Sequence, residues 1–477
     1  MCGIVGVIGR PGAAKTVLDG LSTIQGRGSQ AAGLAGIVES EVKVVKVEGP
    51  AGRIRKRIAD TGLETATLAL GHVRYGTSGG SLLANAHPFA SKYEQLALAH
   101  NGQIYGAEAR REILKAEKDD FEATSDSEVV LKMLERTDGE GIIDRLLKVL
   151  NQLDRAYAFG IIWNGHLIGA CDPLGMHPLS LGYFENDGGG YILASEDVAI
   201  RSVGAKPIKT IDAGQVVVIT PTGDVQTFRL ENIPSSTRHC DFNLDYTANP
   251  ASCLWGRSVT KVRIALGLAV FQEMLEQEVL PTVDVISPIP DSGRSATLAF
   301  ANAYARNRML EMLRQDGIDA FSQMDLGNLF PFNFAVNRSH DFEAARRNFQ
   351  LATQDERELA IILKHGIDPA VVAGKRILLG DDSIVRATTA IAIVKKLRQE
   401  GALAVHLVSF APPIVKSCTC GGTETKDENL LVAVNHSPEE IRQIIGVDSL
   451  HYLSLRKYRE VIGSGYCMGC MSKALER

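Results

Sequence analysis

The chain has 477 residues with 51 lysines and arginines against 56 acidic side chains, a net charge of −5, and its 45% hydrophobic and 22% charged content is ordinary for a folded globular protein. At ~100 to 200 residues per domain this length predicts two or three domains, and the charge balance excludes a general attraction to nucleic acid or an anionic membrane. No run approaches the ~18 apolar residues of a membrane span and no basic, apolar leader opens the chain, so a cytoplasmic small-molecule enzyme is expected; its eight cysteines are too sparse for a disulfide framework and are read as catalytic, metal-binding or buried.

Met1-Cys2-Gly3-Ile4-Val5-Gly6 comes first. Removal of Met1 would leave a terminal cysteine, which carries a nucleophile and a base on one residue. The thiol titrates near ~8.5 and a free α-amine near ~7.7 to 8.0, so the amine can take the thiol proton directly or through a water. That is the logic of an N-terminal-nucleophile acyl transferase. Taken alone, Cys2 reads better as a buried residue at the start of a strand, and the other segments change that weighting.

Downstream, Leu96 to His100 reads as an apolar strand, and Ser127 to Arg136 and Ile142 to Leu153 as helices. Tyr157 to Trp163, Asn164-Gly165 and His166 to Ala170 form the pattern of a two-residue hairpin. Gln215 to Thr220 and Val225 to Phe228, joined by Pro221-Thr222-Gly223-Asp224, form a second. Antiparallel strands interrupted by helices predict a layered α+β domain over residues 2–235. Residues 231 to 254 read as the junction. Beyond it, Val283 to Ser287 leads through Pro288-Ile289-Pro290-Asp291-Ser292-Gly293 into a helix from Arg294, and Arg376 to Leu379 leads through Gly380 to Thr388 into another before Ala404 to Phe410. This βαβ pattern predicts an α/β domain with a parallel sheet over 236–460, followed by a tail at 461–477.

A thiolate that attacks a glutamine amide needs an oxyanion hole, a cation for the α-carboxylate and an anion for the α-ammonium. Asn101-Gly102 offers a side-chain amide and an approachable backbone N–H, Arg74 in Gly71 to Gly79 a bidentate cation, and Asp126 in Ser125-Asp126-Ser127-Glu128 a carboxylate. Each has a duller reading: a turn, a surface cation, a helix N-cap. Taken together, Cys2 to Gly6, Arg27-Gly28, Gly71 to Gly79, His100-Asn101-Gly102 and Ser125 to Glu128 resemble the glutaminase domain of class II glutamine amidotransferases across the first ~230 positions. The resemblance implies Cys2 as nucleophile, Asn101 and Gly102 as oxyanion hole, Arg74 and Asp126 as glutamine-binding groups, and structural roles for His72 and His100. Gly26, Ser29, Cys171 and His177 depart from the family pattern.

In the second half, Asp381-Asp382-Ser383-Ile384-Val385-Arg386-Ala387-Thr388-Thr389 places two acids and a run of backbone amides between a strand and a helix N-terminus. Such a loop suits a sugar phosphate: the carboxylates accept from ribose hydroxyls or hold Mg²⁺, and the amides and hydroxyls of residues 384 to 389 receive the phosphate, with Ser383 also in the substrate-binding set. A lone acidic turn capped by Thr388 is the duller reading. The whole stretch resembles the phosphoribosyl pyrophosphate motif of phosphoribosyltransferases, and Pro288 to Gly293 resembles their pyrophosphate loop, which implies Asp291, Ser292 and Gly293 as substrate-binding groups. The two halves together resemble the glutamine phosphoribosylpyrophosphate amidotransferase family. That likeness implies glutamine and phosphoribosyl pyrophosphate as substrates, ammonia passed internally to give phosphoribosylamine, purine nucleotides as inhibitors, and a homotetramer. Ala387 stands where the family has glycine, and Val336 and Ser339 replace a lysine and a tyrosine of its mobile loop; Asn337, Arg338 and Arg347 match.

Cys467-Met468-Gly469-Cys470 reads alone as a redox pair, half a zinc site or two surface thiols, with Cys418-Thr419-Cys420 as a partner for zinc. By the family resemblance, Cys240, Cys418, Cys467 and Cys470 match the ligands of its iron–sulfur branch, which implies a [4Fe-4S] cluster. Cys171 and Cys253 are left as buried residues. Two rival functions stand beside this one: a paralogous glutaminase that serves another ammonia acceptor, and a non-catalytic phosphoribosyl pyrophosphate sensor.

Overall fold

The structure is a computed structural model that describes residues 1–75, 83–186, 189–322, 330–338, 365–418, 420, 429 and 431–472. Both expected hairpins of the first half are present, at Tyr157–Trp163 with His166–Cys171 and at Gln215–Ile219 with Val225–Arg229. They belong to a six-stranded sheet whose other edge is Leu96–Gly102 and Phe89–Ala90. A seven-stranded antiparallel sheet lies against it, with Gly3–Ile8 at its centre between Tyr191–Ala194 and Leu68–Arg74.

Small residues let the two sheets approach. A side chain on Gly6 would lie 2.8 Å from Leu167, and one on Gly160 would lie 2.8 Å from both Ile4 and Leu70. Ile4, Leu70, Ala99, Ala158, Ile162 and Val217 fill the space between. Helix Ala13–Thr23 covers the outer face of the first sheet, and helices Asp126–Arg136 and Ile142–Leu150 cover that of the second. The result is a four-layer α-β-β-α sandwich. The helix expected at Ile142 to Leu153 ends at Leu150, because Gln152 and Leu153 close tight i→i−3 turns onto Val149 and Leu150. The cap of Asp126–Arg136 is Ser125, whose hydroxyl accepts the Ser127 N–H, so Asp126 is the first helical residue and not the N-cap.

The second half is the expected parallel sheet, in the order Val285–Pro288, Arg376–Asp381, Ala404–Ser409 and Ser449–Tyr452. Its strands are apolar runs because both faces are buried. Leu378 and Val408 face helices Val259–Glu276 and Arg294–Ser322, and Ile377, Leu379 and Val405 face Thr388–Gln399 and Pro438–Ile445.

The junction is folded rather than loose. His239–Cys240 pairs in parallel with Tyr466–Cys467 of the tail, and Asp241, Asn243 and Asp245 are buried. Arg27 of the first half donates to the Asn243 side chain at 3.1 Å and pairs with buried Glu196 at 2.7 Å, while Glu196 accepts from the Asn249 N–H and the Ser252 hydroxyl. Helix Leu455–Ile462 runs past position 461, so the tail starts after it, and Met468 and Met471 enter the core of the second half.

Candidate functional site

Cys2 immediately precedes the central strand Gly3–Ile8, half-buried. Its Sγ receives the Tyr75 N–H at 3.3 Å and its carbonyl accepts from Arg27 Nε at 2.6 Å. Gly28 makes that geometry possible: a side chain there would stand 2.4 Å from the Arg74 carbonyl carbon and 2.7 Å from Tyr75 N. Met1 is buried against Cys240 and Phe242, and burial holds its α-ammonium down to about 6.

Arg74 is nearly buried at the end of strand Leu68–Arg74. Burial lowers its pKa, and the charges that oppose this are Cys2 and Asp126. Three residues read separately from the sequence are therefore electrostatic neighbours. Asp126 is held by the Ile104 N–H at 2.7 Å and by the Ser127 hydroxyl at 3.3 Å. Residues 76–79 of the Gly71 to Gly79 segment lie outside the described residues.

Asn101 and Gly102 are not a turn; they end strand Leu96–Gly102, opposite Ala158 and Tyr157. Gly102 has φ +129°, and a side chain there would meet Ala156 O at 1.9 Å, so only glycine fits. Asn101 Nδ2 donates to Ser195 Oγ at 2.8 Å, and that same oxygen accepts the Ile4 N–H at 2.8 Å. Asn101 Oδ1 is buried without a hydrogen-bond partner among the described residues. Turning the amide over lets Oδ1 accept the Ser195 proton and puts the amide hydrogens where the unpartnered oxygen stood. Ser195 carries no sequence signal, since it acts through a strand pairing that only the fold creates; Tyr75 stands inside the Gly71 to Gly79 stretch, but its contact with Cys2 appears only in the fold.

At the second site, strand Arg376–Asp381 ends in Asp381, and Asp382 is buried. Asp382 accepts from the hydroxyls of Ser383, at 2.8 Å, and Ser292, so the two loops read from the sequence meet. Gly293 is forced: its missing side chain would lie 2.9 Å from Gly380 O. Burial, then mutual repulsion, drives the Asp381 carboxyl well above its ordinary value; burial raises Asp382 as well, with buried Arg263 among the groups that oppose it. Ile384 is buried, Ser383, Val385, Thr388 and Thr389 are half-buried, and Arg386 is exposed. The cap of helix Thr388–Gln399 is Ala387 at φ +59°, not Thr388. Asp291 pairs with Arg294 at 3.0 Å. Arg338 ends strand Val336–Arg338, and Arg347 lies outside the described residues.

The four cysteines singled out converge from distant positions. Cys240 stands in register with Cys467, and Val415 and Lys416, just before Cys418, donate to Cys470 O at 2.8 and 3.2 Å. Burial raises the Cys240 thiol, and Cys418, Cys467 and Cys470 all add to the shift. Among the described residues no three His, Cys, Asp or Glu side chains are arranged to hold a single metal ion. His177 Nε2 donates to Cys420 O at 2.8 Å, tying the first half to this segment. Cys171 is buried as expected; Cys253 is only half-buried, in a two-residue strand against Arg257–Ser258.

Two facing antiparallel sheets between helices, joined to a parallel sheet with an acidic loop at a strand end, define the class, a class II amidotransferase domain fused to a phosphoribosyltransferase-type fold. The family described as a glutamine amidotransferase domain matches residues 31–220. Over nearly the whole length, the chain is 33% identical to the amidophosphoribosyltransferase of Methanothermobacter thermautotrophicus, covering 98% of this chain and 93% of the relative. It is 32% identical to that of Bacillus subtilis, covering 99% and 93%. Among solved structures, glutamine phosphoribosylpyrophosphate amidotransferase from B. subtilis complexed with ADP and GMP superposes with a TM-score of 0.83 at 30% identity, over 99% of this chain and 96% of that one. The chain belongs to the amidophosphoribosyltransferase family.

Proposed function

We propose that this protein is a glutamine-dependent amidophosphoribosyltransferase: glutamine is hydrolysed at Cys2, and the ammonia displaces pyrophosphate from C1 of phosphoribosyl pyrophosphate to give 5-phosphoribosylamine. The observation that carries the reading is the mutual placement of Cys2, Arg74 and Asp126. Loss of Met1 frees the α-amine of Cys2 to accept the thiol proton. The thiolate adds to the glutamine amide, and the resulting oxyanion is met by the Gly102 N–H and the turned Asn101 amide. The tetrahedral adduct collapses to a γ-glutamyl thioester as the α-ammonium of Cys2 returns its proton to the departing nitrogen and ammonia leaves; water then attacks the thioester and releases glutamate and the thiol. Arg74 holds the substrate carboxylate and Asp126 its ammonium.

At the second site Ser383 to Thr389 receive the 5-phosphate, and Asp291, Ser292 and Gly293, with Arg338 and Arg347, take the pyrophosphate. Two adjacent carboxylates with raised pKa values, Asp382 buried and Asp381 half-buried, fit a divalent cation, and Mg²⁺ with one or two carboxylates and substrate phosphates needs no larger protein cage. Asp381 and Asp382 would hold it. When bound, it offsets charge on the departing pyrophosphate. The convergence of Cys240, Cys418, Cys467 and Cys470 from separate segments fits a thiolate-ligated [4Fe-4S] cluster. Its role would be structural, fastening the tail to the junction. A cytoplasmic homotetramer inhibited by purine nucleotides completes the proposal; no helix among the described residues is long and apolar enough to cross a membrane.

The test is to incubate purified protein with glutamine, Mg²⁺ and phosphoribosyl pyrophosphate while following glutamate and pyrophosphate together. Equal release is expected. Glutamate without pyrophosphate would reassign the ammonia to another acceptor, and binding of phosphoribosyl pyrophosphate without either product would leave a sensor.

A further inference from the structure

Behind the glutamine site three histidines are buried in contact. His72 Nε2 lies 3.0 Å from His87 Nδ1 and 3.0 Å from the His100 carbonyl, His87 Nε2 lies 2.9 Å from Ser127 Oγ, and His100 Nδ1 lies 3.0 Å from that hydroxyl. The carbonyl can only accept, so His72 carries its proton on Nε2. His87 Nδ1 then faces an N–H and is the acceptor, which leaves His87 Nε2–H to donate to Ser127. Ser127 keeps its own proton for His100 Nδ1 or for Asp126 Oδ1, 3.3 Å away. Through the Ser127 hydroxyl the hydrogen bonds link the strand of Arg74 to the helix start that carries Asp126.

We propose that His87 is a positioning residue for glutamine, bridging His72 to Ser127 and so setting the distance between Arg74 and Asp126. The inference rests on the glutaminase reading above and adds a residue to it. His72 and Arg74 alternate onto one face of their strand. Ser127 adjoins Asp126 and shares its hydroxyl with it. The bridge is rigid because the backbone of His87 is pressed onto the neighbouring strand, where a side chain on Gly33 would stand 2.1 Å from His87 O. Burial supports the proton order: it holds His72 down to about 3, His87 well below the usual imidazole range and His100 below it, so all three rings stay neutral at pH 7 with one N–H each. A ring that served only as filling would need neither nitrogen placed.

The test compares His87→Phe, which fills the space without nitrogens, with His87→Gln, whose amide can still donate to Ser127. Each is assayed for glutamine hydrolysis and, as internal control, for pyrophosphate release driven by ammonia. His87→Phe should raise the glutamine KM at least about tenfold, as expected when a buried hydroxyl loses its donor, with ammonia-driven synthesis within about twofold of wild type. His87→Gln should stay within roughly threefold in KM. A His87→Phe enzyme with wild-type KM overturns the proposal, as does an equal loss of both activities in both variants. If His87→Phe does not fold, Ser127→Ala must raise the KM in its place, and an unchanged KM there is equally fatal. Wild-type protein without glutamine hydrolysis would instead overturn the reading of the site.

Discussion

Gly102→Ala isolates the oxyanion hole from everything else in the molecule. The new methyl would stand 1.9 Å from Ala156 O and 2.8 Å from its carbonyl carbon. Carbon–oxygen contacts rest near ~3.3 Å, so the backbones must part by roughly 1.4 Å. The position also has φ +129°, which alanine resists. The segments that must separate are joined by Gln103 N–H to Ala156 O at 3.0 Å and Ala156 N–H to Gln103 O at 3.2 Å, so the shift falls on the end of the strand that carries Asn101 and the Gly102 N–H. A misplacement of about 1 Å in a catalytic group costs on the order of 100-fold, or about 2.7 kcal/mol of transition-state stabilisation. Glutamine kcat/KM should therefore fall at least about 100-fold, while pyrophosphate release driven by ammonia stays within about twofold. The assay is steady-state glutamate release beside that control. A variant that keeps glutamine turnover within about threefold of wild type would refute the reasoning.

Cys2→Ala should abolish glutamine-dependent turnover and spare ammonia-dependent synthesis, and intact mass should show active enzyme lacking Met1; active protein with Met1 retained would exclude the α-amine as base. Ala387→Gly should relax the left-handed cap of the phosphate loop by about 1 kcal/mol, seen as roughly fivefold slower amide exchange in the first turn of Thr388–Gln399; unchanged exchange would show that the alanine is unstrained. Titration calorimetry should detect Mg²⁺-dependent binding of phosphoribosyl pyrophosphate that Asp382→Asn weakens at least about tenfold, the scale of a lost charge-assisted contact, and binding indifferent to both would reject the acidic loop as the site. Anaerobically purified protein should contain iron and acid-labile sulfide, with Cys240→Ser losing both; zinc in their place would refute the cluster.

What was legible in the sequence is what depends on neighbours along the chain. Hairpins announced by Asn164-Gly165 and Pro221 to Asp224, and a parallel sheet announced by unbroken apolar strands, need only local turn chemistry and periodicity. Ala387 was readable as a departure at a glycine position, and its φ of +59° shows what the departure meets. Helix ends were harder, because a cap is a choice among adjacent polar residues: Ser125 and Asp126 can both cap, and the hydroxyl of Ser125 does so while Asp126 is held by the Ile104 N–H. The site residues were legible as types and not as an arrangement. Asn101 reaches Ser195 across 94 positions, and the Cys2 thiol meets Tyr75 across 73. His87, between Ala86 and Pro88, has no local mark at all. It acquires a role only when strand pairing brings His72 to one of its nitrogens and helix packing brings Ser127 to the other. Residues that perform a step on substrate must be of particular chemical types and stand out. Those that hold them in place act through geometry, which a single sequence does not display until the sheets have closed.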